Sequence, residues 1–174
     1  MVIPLQKKLP IPTKRDTSLR KDAFISFFNT SAPYPQPWAI PAEEVWYRSR
    51  HAAPQIKAPF ETSDCISFFS LAQLVHLPVV HVANEHLGSD VRRSILTAMG
   101  LREGFPDYMI LRPSQEKSTK GKLVFIEFKR SFGFHVAKEQ ADWCLWLRNE
   151  GHVSEFAFGL DHARLILRHL YGVL

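Results

Sequence analysis

The chain has 174 residues, 45% hydrophobic and 22% charged, a balance that excludes a disordered polymer, a collagen-like repeat and a coiled coil. No apolar run reaches the ~20 residues that a membrane-spanning helix needs, so no membrane partner is expected. Lys and Arg number 22 against 17 Asp and Glu, for a formal charge of +5 and a pI near 9.4, an excess that admits a polyanionic partner without requiring one.

Nine of the twelve prolines fall between Pro4 and Pro59, and every glycine lies at or after Gly88. The chain is therefore expected to divide into a Pro- and aromatic-rich N-terminal extension (1–60) and a second unit (61–174). The start carries charges and prolines and no apolar stretch that would direct secretion, so the expected location is the cytoplasm. Residues 1–22 hold Lys7, Lys8, Lys14, Arg15, Arg20 and Lys21 against Asp16 and Asp22, the pattern of a basic, flexible arm. Phe24, Phe27, Phe28, Tyr34, Trp38, Trp46 and Tyr47 follow among prolines, which predicts segments laid on the core or on a protein partner. Cys65 and Cys144 form no C-x-x-C pair and read as buried thiols rather than zinc ligands.

Thr62 and Ser63 can cap a helix to about Leu77, with Ile66, Phe69 or Ser70, Gln73 and Leu74 on one face, stopped at Pro78. Val79 to Val82 reads as a short strand. A helix capped by Ser89 follows, with Val91, Ile95, Leu96 and Met99 inward, closed by Gly100. Asp107 to Leu111 reads as a strand, 112–121 as a polar loop, and KLVFIEFK (122–129) as a strand buried on both faces. A helix from Val136 to Asn149, a strand from Val153 to Phe158 and a helix capped by Asp161 complete the order α, β, α, β, β, α, β, α, an α/β fold.

If the polar loop turns about Lys117, cross-strand partners have numbers summing to 234, and Asp107 lies opposite Glu127. Alternation then puts Lys129 on the face of Glu127, two positions along. Taken singly, E-x-K at a strand end is commonly an exposed salt bridge and P-D commonly a turn. Together they place two acids and a lysine on one face, expected to be partly exposed, so that Glu127 could be replaced without loss of the fold. Like charges brought together in this way call for a cation, and oxygen ligands suit a hard ion such as Mg2+ or Mn2+. Arg92, Arg93 and Arg102 are candidate phosphate contacts. The eight histidines show no ligand spacing.

Asn84-Glu85, Gly104-Phe105-Pro106-Asp107, Phe125-Ile126-Glu127-Phe128-Lys129 and Gln140-Ala141-Asp142-Trp143 stand in the order in which the VRR-NUC family carries such motifs. From about residue 61 to 171 the sequence resembles that family of the PD-(D/E)xK nuclease superfamily. The resemblance implies a restriction-endonuclease-like core, a mixed β-sheet flanked by helices. It makes Asp107 and Glu127 metal-binding acids, with the carbonyl of Phe128 as a further ligand, Lys129 the catalytic lysine and Gln140 a residue at or beside the site. A further acid comes from Glu85, favoured here, or from Glu61 or Asp64. Family members are metal-dependent nucleases, among them stand-alone phage proteins that act on branched DNA, often as homodimers. The expected activity is thus Mg2+- or Mn2+-dependent endonucleolytic cleavage of DNA. The alternatives are a non-cleaving DNA-binding module and a protein-interaction module on the same fold.

Overall fold

The computed structural model describes residues 20–29, 38–52, 61–82, 90–117 and 119–173, without the side chains of residues 90–93. The expected basic arm lies outside these residues up to residue 19, as does the stretch 83–89.

The run VFIEFK forms β3 (Val124–Lys129), buried at all six positions, as an apolar strand covered on both faces must be. Antiparallel β2 (Tyr108–Ile110) flanks it on one side, parallel β4 (Val153–Phe158) on the other, and β1 (Val79–His81) lies beyond β2. The pairing of Tyr108 with Ile126 and of Ile110 with Val124 is the register in which partner numbers sum to 234. The loop between them is held by its own polar groups. Ser114 and Thr119 hydroxyls meet at 2.6 Å, and the N–H groups of Gln115 and Glu116 donate to the Leu170 carbonyl near the end of the last helix.

Parallel pairing of β3 with β4 needs a crossover, and α5 (Lys138–Asn149) supplies it. Alternation along β3 sends Val124, Ile126 and Phe128 to one face. There α3 (Glu61–Leu74) contributes Phe68 and Ala72, and α6 (Leu160–Tyr171) contributes Ala163, Ile166, Leu167 and Leu170. The spacing of those α6 residues is the 3.6 period of an amphipathic helix. The opposite face is covered by Ala141 and Cys144 of α5 and by the N-terminal helices α1 (Lys21–Asn29) and α2 (Ala42–Arg50). Phe24, Phe27 and Val45 of α1 and α2 pack with Phe134, Phe156 and Phe158. The aromatic segments before residue 60 are thus partly core. Strand β4 is a sheet edge, and α5 closes it: Cys144 Sγ and Arg148 Nε both donate to the Ser154 carbonyl, while Arg148 Nη2 pairs with Glu155 at 2.9 Å.

Four readings are corrected. Helix α3 starts at Glu61, so Thr62 and Ser63 lie inside its first turn, and it buries Asp64, Phe68 and Ala72. Ile66, Phe69 and Leu74, expected inward, are exposed. ISFFSLAQL carries apolar residues around the whole helix, so periodicity allows more than one inward face. In α4 (Asp90–Ala98) Ile95 is exposed, as is Met99 just beyond the helix, and Leu96 is only half-buried; Val91 lies among the undescribed side chains and the expected cap Ser89 outside the described residues. Helix α6 is preceded by Gly159 at φ +80°, with Asp161 inside the first turn; the Leu160 N–H is met by the Asp64 carboxylate of α3. Glu127 and Lys129, expected on a partly exposed face, are instead buried, while Asp107 is half-buried.

Candidate active site

Asp107 stands just before β2, and continuing the register by one residue sets it opposite Glu127. Its Oδ2 accepts the N–H of Phe128 at 2.7 Å, and its own carbonyl accepts the Val82 N–H at 2.7 Å. The carboxylate is therefore fixed to the backbone between the two residues of E-x-K. Because N–H and C=O of one strand residue point to the same side, the Phe128 carbonyl also leaves β3 toward Asp107.

On the α5 side of the sheet, Lys129 Nζ donates to Glu127 Oε1 at 2.8 Å, with side chains only 7% and 5% exposed. Gln140, in the first turn of α5, ties the pair to the helix. Its Nε2 donates to Glu127 Oε1 and its Oε1 accepts the Ala137 N–H at 3.0 Å, so one side chain both caps α5 and orients the acid.

The G-x-P-D turn is clamped to the same helix. A Cβ on Gly104, which sits at φ +78°, would lie 2.7 Å from the Glu139 carbonyl carbon and 2.8 Å from the Gln140 nitrogen. Only glycine allows that approach. Trp143 Nε1 donates to the Glu103 carbonyl at 3.1 Å, and its ring meets Phe105 edge-on at 5.2 Å. Trp143 is thus a half-buried clamp on the turn that carries Asp107. The motif pairs G-x-P-D and Q-x-x-W, far apart in sequence, are in direct contact.

Burial holds Glu127 above the ordinary carboxylate range; Lys129 opposes the shift, and the negative charges of Asp107 and Glu61 add to it. Burial alone would depress Lys129, but Glu127, Glu61 and Asp107 more than offset it and keep the ammonium charged. Glu61, at the start of α3, is the acid of that helix whose charge reaches this pair. Asp64 is spent on the Leu160 N–H of α6, and Glu85 lies outside the described residues. Burial, with Asp107 nearby, pushes the Cys65 thiol up to about 12, and burial pushes Cys144 to about 11, so neither supplies a thiolate.

The charges of Asp107 and Glu61 act on the buried Glu127–Lys129 pair, although among the described residues no three His, Cys, Asp or Glu side chains stand close enough together to enclose an ion by themselves. All the candidate donors are oxygens, the Asp107 and Glu127 carboxylates, the Phe128 carbonyl and Glu61, and such a set fits a hard divalent cation. Arg102 is exposed just before the turn, with a long 3.4 Å bond to the Leu101 carbonyl. Arg92 and Arg93 lie in α4 with undescribed side chains. The clamping contacts of Gly104 with Gln140 and the role of Asp64 at α6 escape sequence reasoning, because each joins elements with no local signal of proximity.

No protein-family model matches the sequence, and no curated protein matches it. Among solved structures the chain is similar to one described as a VRR_NUC domain protein, at a TM-score of 0.55 and 16% identity, over 67% of this chain and 92% of that one. Among the described residues no helix is long and apolar enough to cross a membrane. At that identity the likeness is one of architecture: the chain has an α/β fold with a mixed four-stranded sheet flanked by helices, as in a restriction-endonuclease-like domain.

Proposed function

We propose that the chain is a VRR-NUC nuclease, a Mg2+- or Mn2+-dependent DNA endonuclease that hydrolyses phosphodiester bonds and prefers branched or otherwise irregular DNA. The observation that carries this reading is the juxtaposition of Asp107, tied to the Phe128 N–H, with the Glu127–Lys129 pair on neighbouring strands. The fold likeness to a VRR_NUC domain protein supports it.

Asp107, Glu127 and the Phe128 carbonyl, with Glu61 or Glu85, would hold the ion, which when bound acidifies a water and neutralises charge on the phosphate. Every other part is played by the chain. Gln140 keeps Glu127 Oε1 in one orientation, and the Phe128 N–H does the same for Asp107. Lys129, charged because its neighbours are acids, brings an ammonium that orients the attacking water or meets the developing negative charge. The enclosed setting strengthens both effects by excluding bulk solvent. Arg102, with Arg92 and Arg93, supplies phosphate contacts outside the acids. A second copy of the chain and the basic N-terminal arm belong to substrate engagement rather than to the chemistry.

The test is nicking of plasmid and branched DNA by the purified chain with Mg2+, with Mn2+ and with chelator, beside Asp107→Asn and Glu127→Gln. The expected result is cutting that needs the ion and both acids. DNA binding without cutting in every condition would assign a non-cleaving module instead, and neither binding nor cutting would leave a protein-interaction module.

A further inference from the structure

Asp107 also forms one end of a cavity of about 360 Å³ between α3, β1 and β2. Glu61 of α3 lines it as well, and the remaining residues differ in character from these two acids. Tyr108 is its floor and is immobilised: its ring packs against Phe68 at 5.0 Å and Phe128 at 5.6 Å, and its hydroxyl donates to the Cys65 carbonyl at 3.2 Å. His81 of β1 rests on that ring at 5.0 Å. From α3, Phe69 and Ile66 reach the rim, 40% and 64% exposed. These are the outward residues of α3 that the hydrophobic core does not use. Thr62 and Ser70 add hydroxyls, and among the described residues no Lys or Arg lines the cavity.

Its size falls at the lower end of the ~300–1,000 Å³ of ligand clefts, suited to one nucleoside rather than a longer segment. Its aromatic walls and hydroxyls suit a base face and its polar edges. With Asp107 at one end, a base seated there would bring its own phosphate to the acids.

Resting on the nuclease reading, we propose that this cavity receives an unstacked nucleobase next to the scissile phosphate, so that the chain selects DNA with an unpaired nucleotide at the cut. Extruding a base from an intact duplex is costly and is least so where the base is already unpaired. The cavity would thereby turn local lack of pairing into a choice of phosphodiester.

The experiment uses the full chain with Mg2+ and a short end-labelled duplex, either fully paired or carrying one unpaired adenine. The unpaired substrate should be cut at least about tenfold faster, at the phosphate beside the adenine, since one base stack is worth about five- to a hundredfold. Phe69→Ala and His81→Ala should each lower this preference about fivefold or more, and Phe69→Trp should restore it. Leu74→Ala, exposed on the same helix but outside the cavity, should leave it intact. Both cavity side chains are exposed, so neither substitution opens the core. Equal cutting of the two duplexes, or an undiminished preference in Phe69→Ala and His81→Ala, would overturn the inference while leaving the nuclease reading standing. If neither duplex is cut under any divalent ion, the nuclease reading fails and the inference with it.

Discussion

Replacing Gly104 by Ala separates the positioning of Asp107 from its chemistry, because residue 104 touches no charged group of the site. Two costs add. At φ +78° an L side chain is strained by roughly 1–2 kcal/mol. The new Cβ would also lie 2.7–2.8 Å from the backbone of Glu139 and Gln140, which belongs to a helix and cannot swing aside, at a further ~1–3 kcal/mol of overpacking. The sum, about 2–5 kcal/mol, corresponds to a fall of roughly 4–20 °C in Tm for a chain of this size. Gly121→Ala is the matched control: its φ is +83°, but nothing lies within 4 Å of the added atom, so it should show the first cost alone. If the turn yields instead, Asp107 moves relative to Glu127, and a displacement near 1 Å costs about a hundredfold in rate. Thermal melting and Mg2+-dependent cleavage of both variants provide the measurement. Gly104→Ala should be the less stable of the two, or the slower by about a hundredfold, or both. Equal melting and equal cutting would refute the clamp of the turn on α5.

The buried pair should behave as a unit: Lys129→Met leaves Glu127 without its ion partner at a cost of about 3–5 kcal/mol, while Glu127→Gln/Lys129→Met should destabilise by less than the sum of the single variants, a double-mutant cycle read by denaturant melts. Binding of Mn2+ should stabilise the fold by about 2.7 kcal/mol at a hundredfold excess over Kd, read as a higher Tm than in chelator, and Asp107→Asn should abolish the rise; Ca2+, larger and less acidifying, should bind yet support little cutting. Burial holds His162 below its ordinary pKa, despite the opposing bond to Trp38: Phe158 N–H donates to Nδ1 at 3.2 Å, and Nε2 lies 2.8 Å from the Trp38 carbonyl, so the neutral ring is already fully bonded. The unfolded chain takes up this proton at about pH 6.5 and the folded chain resists it, so stability is complete above that pH and falls below it by up to about 1.4 kcal/mol per pH unit. His162→Gln should flatten the slope in melts between pH 7 and 5, and an unchanged slope would contradict the assignment.

Much of this was legible in the sequence, and for identifiable reasons. Strand side chains alternate with a period of two, so placing the turn at Lys117 was enough to set Tyr108 opposite Ile126 and Asp107 opposite Glu127. The bounds of β4 follow from a Val- and Phe-rich run between Gly151 and Gly159, and the burial of β3 from its nearly continuous apolar character. Asp107, Glu127, Lys129 and Gln140 were singled out by resemblance to family motifs in short, strongly patterned segments, and the structure brings the Glu127–Lys129 pair and Gln140 into contact. What the sequence left open depends on which surface comes to lie against which. The inward face of α3 could not be chosen among apolar residues on every side; the sheet chose Phe68 and Ala72, and left Ile66 and Phe69 to rim a cavity. Glu61 and Asp64 are three residues apart on one helix, yet one acts on the Lys129 site and the other meets an N–H of α6, a division made only by where α6 packs. The enclosure of Glu127 and Lys129 likewise comes from α5, together with α1 and α2, folding over that face. Local pattern determined which residues could form each strand and motif, because period and turn chemistry act between near neighbours. Burial, charge state and the contact of Gly104 with Gln140 are sums over distant segments, and only the tertiary structure decided them.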